Sequence, residues 1–186
     1  MKEISLFFRL GLEHILDLGA ADHLLFLMAL TVVFSLKDIK KLTLMVTLFT
    51  VAHTLSLALT AYRIVRVESR FIEAAIVGTI MITALTNILI SDKHKLQKFH
   101  LFYVFFFGLI HGMGFTHAFL MSVSGSDRIF TPLLSFAAGI ETGQILFILG
   151  FLIIKSALLE KLLQVKERIL ILSVSFFILG YALSLV

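Results

Sequence analysis

The chain has no cysteine, which excludes disulfides, thiolate catalysis and thiolate metal sites together. Proline occurs once, at Pro132, and no stretch is rich in Gly and Ser or low in complexity. Nothing therefore divides the 186 residues into two folding units. Charge is also scarce: 15% of residues are Asp, Glu, Lys or Arg, against about 25% in a typical soluble domain. A water-soluble domain of this length could not cover itself with so little polar surface. No cleavable signal peptide is expected, because Arg9, Glu13, His14 and Asp17 interrupt the first apolar stretch.

Apolar residues fill the space those absences leave. They make up 59% of the chain, and mean hydropathy is +1.04. A spanning helix needs roughly 20 mostly apolar residues. Such stretches lie near 20–36, 41–62, 72–91, 99–121, 131–154 and 169–186. The expected fold is an all-α polytopic membrane bundle in one integral domain, 1–186, with six transmembrane helices. An amphipathic segment over 3–18 precedes them, too polar to cross lipid alone; it lies in the interface or dips into the bundle as a re-entrant helix. Gly19-Ala20-Ala21 offers a joint between the two. Ser91-Asp92-Lys93 closes the third span, Ser124-Gly125-Ser126-Asp127 makes a turn after the fourth, and Thr131-Pro132 reads as an N-cap followed by proline at the first helical position.

The net charge is +4. Lys and Arg cluster at the ends of the apolar runs, which indicates anchoring at lipid headgroups rather than nucleic acid. Lys37, Lys40, Lys41, Lys93, Lys95, Lys98, Lys155, Lys161, Lys166 and Arg168 fall on one side of six spans; Lys2, Arg9, Arg63, Arg66, Arg70 and Arg128 fall on the other. The richer side is expected in the cytoplasm, with both termini outside.

Ionisable residues inside spans are the informative ones. Each costs about 2.5–3.5 kcal/mol at the bilayer centre even on the mildest scale, so such groups face the interior and find partners. The set is Asp22 and His23 on the first span, His53 on the second, His111 and His117 on the fourth, and Glu141 on the fifth; His14 can fold back from the preceding segment. With about 1.5 Å of rise per residue, all of them fall at or above the midplane on the outer side. Polar neighbours share their faces: Thr50, His53 and Ser56; Thr79, Thr83 and Asn87; Glu141 and Gln144. Asn87 lies deeper and extends a polar path below the cluster. Imidazole and carboxylate donors without thiolate suit a divalent transition metal, Ni²⁺, Co²⁺ or Zn²⁺ foremost and also Mn²⁺ or Fe²⁺. Asp22 is either a ligand or the group that orients a ligating imidazole. His94 and His100 are expected at solvent or the interface, and Glu68, Arg70 and Glu73 in interfacial ion pairs, with Glu73 guarding an outer entrance. Gly108 with Gly112, and Gly139 with Gly143, are spaced for close helix packing.

Gly11-Leu12-Glu13-His14-Ile15-Leu16-Asp17, then Gly19 and Asp22-His23-Leu24-Leu25-Phe26, resembles the HupE/UreJ family of bacterial membrane proteins. Phe49-Thr50-Val51-Ala52-His53-Thr54-Leu55-Ser56-Leu57, Phe107-Gly108-Leu109-Ile110-His111-Gly112-Met113-Gly114-Phe115 and Ala138-Gly139-Ile140-Glu141 extend the resemblance over most of the chain. Founding members place His and Asp six apart with Pro after the His, and carry an acidic residue soon after His-Gly. Here His14 and Asp22 are eight apart, Ile15 follows, and Met113-Gly114-Phe115 follows His111-Gly112. The chain thus looks like the divergent second branch. The resemblance implies a nickel or cobalt permease of the bacterial inner membrane, with His14, Asp22 and His23 in the first metal motif and His111 in the second.

The leading expectation is uptake of a divalent transition metal through the bundle, by a monomer or a homo-oligomer. The alternative is an intramembrane metallohydrolase that uses the same ion to activate water, with Asp22, Glu141 or Glu73 as general base. A weaker one is a metal sensor or accessory protein.

Overall fold

A computed structural model of the chain describes residues 2–19, 21–123, 129–157 and 164–184. The described elements are all helical: α1 (Lys2–Leu16), α2 (Asp22–Thr31), a 3-10 turn (Leu36–Asp38), α3 (Ile39–Ala61), α4 (Ser69–Leu89), α5 (Lys93–Gly114), α6 (Thr116–Ser122), α7 (Phe130–Ile154) and α8 (Glu167–Leu183). The expected turn at 124–127, Ala20 of the first joint, and the basic residues Arg128 and Lys161 lie outside the described residues.

Three helical stretches are long and apolar enough to cross a membrane: 26 residues ending at Ala61, 21 over α4 and 28 beginning at Phe130. They match the expectations near 41–62, 72–91 and 131–154. A fourth is reached if α5 and α6 count as one span, bent by 51° at Phe115. The start of α7 differs from the expected Thr131-Pro132 cap. Ile129 is its N-cap, without a side-chain hydrogen bond, and Pro132 sits inside the first turn, where its missing N–H has no helical partner to lose.

The stretch expected as a first span is helical over only ten residues, Asp22–Thr31. At about 1.5 Å per residue, α2 covers about half of a ~30 Å hydrocarbon core. Before it, α1 lies lengthwise on α7. A Cβ on Gly11 would run into the Phe136 carbonyl and the Ile140 amide; one on Gly139 would meet Phe8 and Leu12; one on Gly143 would meet Ile15. Ascending positions on α1 match ascending positions on α7, so the two helices run parallel. Beyond the break, Lys155 at the far end of α7 donates to the carbonyls of Val32 (2.7 Å) and Phe34 (2.6 Å). In fifteen and ten residues, α1 and α2 cover the length that α7 covers in twenty-five.

Small residues make the other close contact as well. In lipid, apolar side chains gain little by leaving one greasy environment for another, so backbone approach at glycine holds helices together. Gly108 abuts Phe49 and Ala52, and Gly112 abuts His53 and Ser56, which sets α5 directly on α3. Asn87 Nδ2 on α4 donates to the Ala29 carbonyl of α2 at 2.8 Å. Arg168 at the start of α8 donates to the Asn87 and Ile88 carbonyls, both at 2.7 Å. α4, α7 and α8 thereby meet at the C-terminal end of α2.

Candidate metal centre

His14 stands in the last turn of α1, and Asp22 and His23 open α2, so the interruption delivers three donors at one level. The Gly112 contact brings His111 on α5 beside His53 on α3. Two overlapping triads result: His14, His23 and His53, and Asp22, His23 and His111. In each, one donor atom per residue lies within 4.8 Å of the others. Ring centroids are 4.5 Å apart for His14 and His23, 5.0 Å for His23 and His111, and 5.8 Å for His23 and His53. His23 belongs to both triads and lies between them.

The rings are buried: His53 is 0%, His111 1% and His23 3% exposed. Their nitrogens nevertheless lack partners. Nε2 of His14, both nitrogens of His23 and of His53, and Nδ1 of His111 make no hydrogen bond. Leaving a buried polar atom unpaired costs about 1–3 kcal/mol, and concentrating so many in one place calls for a ligand that accepts lone pairs. A cation fits that requirement. Asp22 lies 3.8 Å from His23 Nδ1 and supplies negative charge. Phe115 packs on His14 at 4.0 Å between centroids, Phe49 on His111 at 5.3 Å, and Phe26 on His111 at 5.5 Å. This aromatic wall fixes the imidazoles and keeps the local dielectric low, which strengthens charge–donor attraction.

A cavity of about 720 Å³ leads to the cluster. His14, Asp22, His23 and His111 line it, as do Glu73 and Phe115, whereas His53 does not. His53, fully buried, stands 5.8 Å from both His14 and His23 between ring centroids.

Of the residues expected at the site, His14, Asp22, His23, His53 and His111 come together. His117 and Glu141 belong to neither triad. His117 follows the bend at Phe115, which turns α6 away, and it lies exposed beside a second cavity. Glu141 Oε1 accepts from Thr47 at 2.5 Å, and its Oε2 is buried without a partner. Thr50 donates to Gln144 Oε1 at 2.7 Å, and Ser56 donates to the His53 carbonyl at 3.1 Å, so both brace the helix that carries His53. Asn87 holds α2 through Ala29, as described above.

Two placements go beyond the sequence reading. Thr79 stands 2.9 Å from His111 Nε2 and is its single side-chain partner among the described residues. His100, expected at solvent or the interface, is fully buried near Tyr103 (5.6 Å) and Phe34 (6.5 Å), with neither ring nitrogen bonded. Its signal was the stripe His100, Val104, Phe107 and His111, spaced as one helical face that points inward.

The profile of the HupE/UreJ protein family matches residues 1–185. No curated protein and no solved structure matches the chain.

Proposed function

The chain belongs to the HupE/UreJ family, and from that membership we propose that it carries a divalent transition-metal ion across the membrane through the His/Asp cluster. The family is associated with nickel and cobalt transport, and the apolar helices make the chain an integral membrane protein. The observation that carries the reading is the convergence of partnerless imidazole nitrogens from α1, α2, α3 and α5 beside one carboxylate.

The proposed arrangement has six crossings in a single membrane domain, the first made by α1 and α2 in series. Their alignment with α7 supports that count, as does α8 running back from the end of α4. The cavity is read as facing outside, with both termini on that side and the Lys-rich loops in the cytoplasm. A hydrated cation exchanges its water for Asp22, His23 and His111, which line the cavity, and then reaches the occluded His53. Neutral imidazoles are the donors, and Asp22 offsets one of the two positive charges. Borderline divalent ions such as Ni²⁺, Co²⁺ and Zn²⁺ suit this set better than Mg²⁺ or Ca²⁺. Release requires that the site weaken, since tight binding alone makes a trap. Lys155 and Arg168 pin the inner ends of α2 and α4, so their displacement is the proposed opening step, past Thr83 and Asn87.

Uptake of Ni²⁺, Co²⁺, Zn²⁺, Mn²⁺ or Fe²⁺ into proteoliposomes tests the reading. Wild-type protein is expected to transport at least one of them, and His23→Ala none. Failure with all five ions would sink it.

One observation favours a second reading. Three imidazoles with an adjacent carboxylate, at the end of a cavity open on one side, are also the parts of a catalytic zinc site. In a hydrolase Asp22 or Glu73 would be the general base, as both line the cavity. Ester or amide turnover that needs the ion, without any flux, would establish that reading in place of transport.

A further inference from the structure

The cavity in front of the imidazoles has a charge pattern that the ligand triads do not use. Glu13, Asp17, Asp22 and Glu73 all line it, and no Lys or Arg does among its lining residues. Glu13 and Asp17 come from the end of α1, Glu73 faces them from α4, and all three are exposed. Ile15 packs on Gly143, thirteen residues into α7, so the two acids of α1 stand about 20 Å along that helix, whereas Glu73 stands in the first turns of α4. Ionised carboxylates gathered in such a cleft are stable against water or a cation. Asp17 accepts the Gly19 N–H at 2.8 Å, and Glu13 pairs with Arg9 at 2.7 Å. A second observation shows where the acids lead: His23 and His111, 3% and 1% exposed, line the same cavity with ring nitrogens that have no partner.

We propose that Glu13, Asp17 and Glu73 form an outer holding site that binds a hydrated divalent cation through its water shell before the ion is stripped onto His23 and His111. This inference rests on the transport reading above and adds a stage ahead of it. An all-oxygen site is hard and poorly selective: it accepts Mg²⁺ and Ca²⁺ as readily as Ni²⁺, whereas the imidazoles behind it reject the first two. The carboxylates also concentrate cations by focusing the field in a cleft with low-dielectric walls. Capture and selection are therefore separate steps on separate residues. Mg²⁺ competes at the first without occupying the second, and Arg9 acts as a tethered competitor for Glu13.

The test uses the full chain, reconstituted, with Ni²⁺ as probe. The triple variant Glu13→Gln, Asp17→Asn, Glu73→Gln is expected to raise the KM for Ni²⁺ uptake about tenfold. Inhibition by Mg²⁺ should be lost and the dependence on ionic strength flattened, while the ion held per chain stays at the wild-type value. Arg9→Gln should move the other way, lowering KM. An unchanged KM and retained Mg²⁺ inhibition in the triple variant would overturn the proposal, as would loss of the tightly held ion. Weak Mn²⁺ binding, followed by electron paramagnetic resonance, reads the holding site without any flux. His23→Ala should keep it and Glu73→Gln should reduce it, and the opposite pattern refutes the site. Wild-type protein that transports nothing yet shows the expected Mn²⁺ pattern would remove the transport reading and leave the holding site standing.

Discussion

Thr79 Oγ1 lies 2.9 Å from His111 Nε2 and 2.7 Å from the Ile76 carbonyl, and its single proton can serve only one of them. The carbonyl can only accept, so the hydroxyl donates there and takes a hydrogen bond from Nε2–H. That fixes the tautomer of His111. The lone pair is left on Nδ1, the nitrogen that is buried without a partner.

Thr79→Val keeps the shape of the side chain and removes the acceptor. Ni²⁺ affinity, measured by titration calorimetry on the purified protein, should fall about ten- to a hundredfold, the usual cost of losing an outer-shell partner. Thr79→Ser should restore it.

His23 is shared by both triads, so its replacement is not equivalent to the others. His23→Ala should abolish the tightly held ion by elemental analysis. His53→Ala and His111→Ala each spare one triad, and each should retain an ion with weaker affinity. Equal loss in all three variants would mean one indivisible site.

Gly112→Ala places a methyl group against the His53 carbonyl and Ser56 Oγ, and Gly139→Ala places one against the Phe8 carbonyl. Backbone cannot yield as a flexible side chain would, so each should destabilise the bundle by about 1–3 kcal/mol. Gly112→Ala should also weaken metal binding, because it separates α3 from α5. Gly150→Ala is the control: nothing stands within 4 Å of its Cβ position, and the substitution should be neutral or mildly stabilising. Thermal melts in detergent check all three.

Much of the donor set was legible because two simple periods locate it. Ionisable residues within apolar runs mark the interior, and the rise per residue gives depth, which is enough for Asp22, His23, His53 and His111. His117 escaped that arithmetic because depth assumes a straight axis, and α5 ends at Phe115 without a proline to announce the bend. Glu141 has the right level but meets Thr47 on the far side of α3, a neighbour relation that no periodicity carries. His100 looked interfacial from its place near Lys95 and Lys98, yet its position on the His111 stripe turns it inward. The seat of α1 was open between interface and bundle. Its moderate polarity matches both, and only the small residues Gly11, Gly139 and Gly143, read as mutually facing, indicate that it packs along α7.

The pairing of α1 with α7 also orders biogenesis. A ribosome delivers α1 and α2 first, when one is too polar and the other too short to be released into lipid unaided. Their partner begins at Phe130, so more than a hundred residues must follow before the glycine surface that receives α1 exists. The α1–α2 pair therefore cannot take its seat until α7 has been made. A truncation anywhere before α7 should therefore leave His14 without the surface that seats it and lose the His14, His23 and His53 triad first.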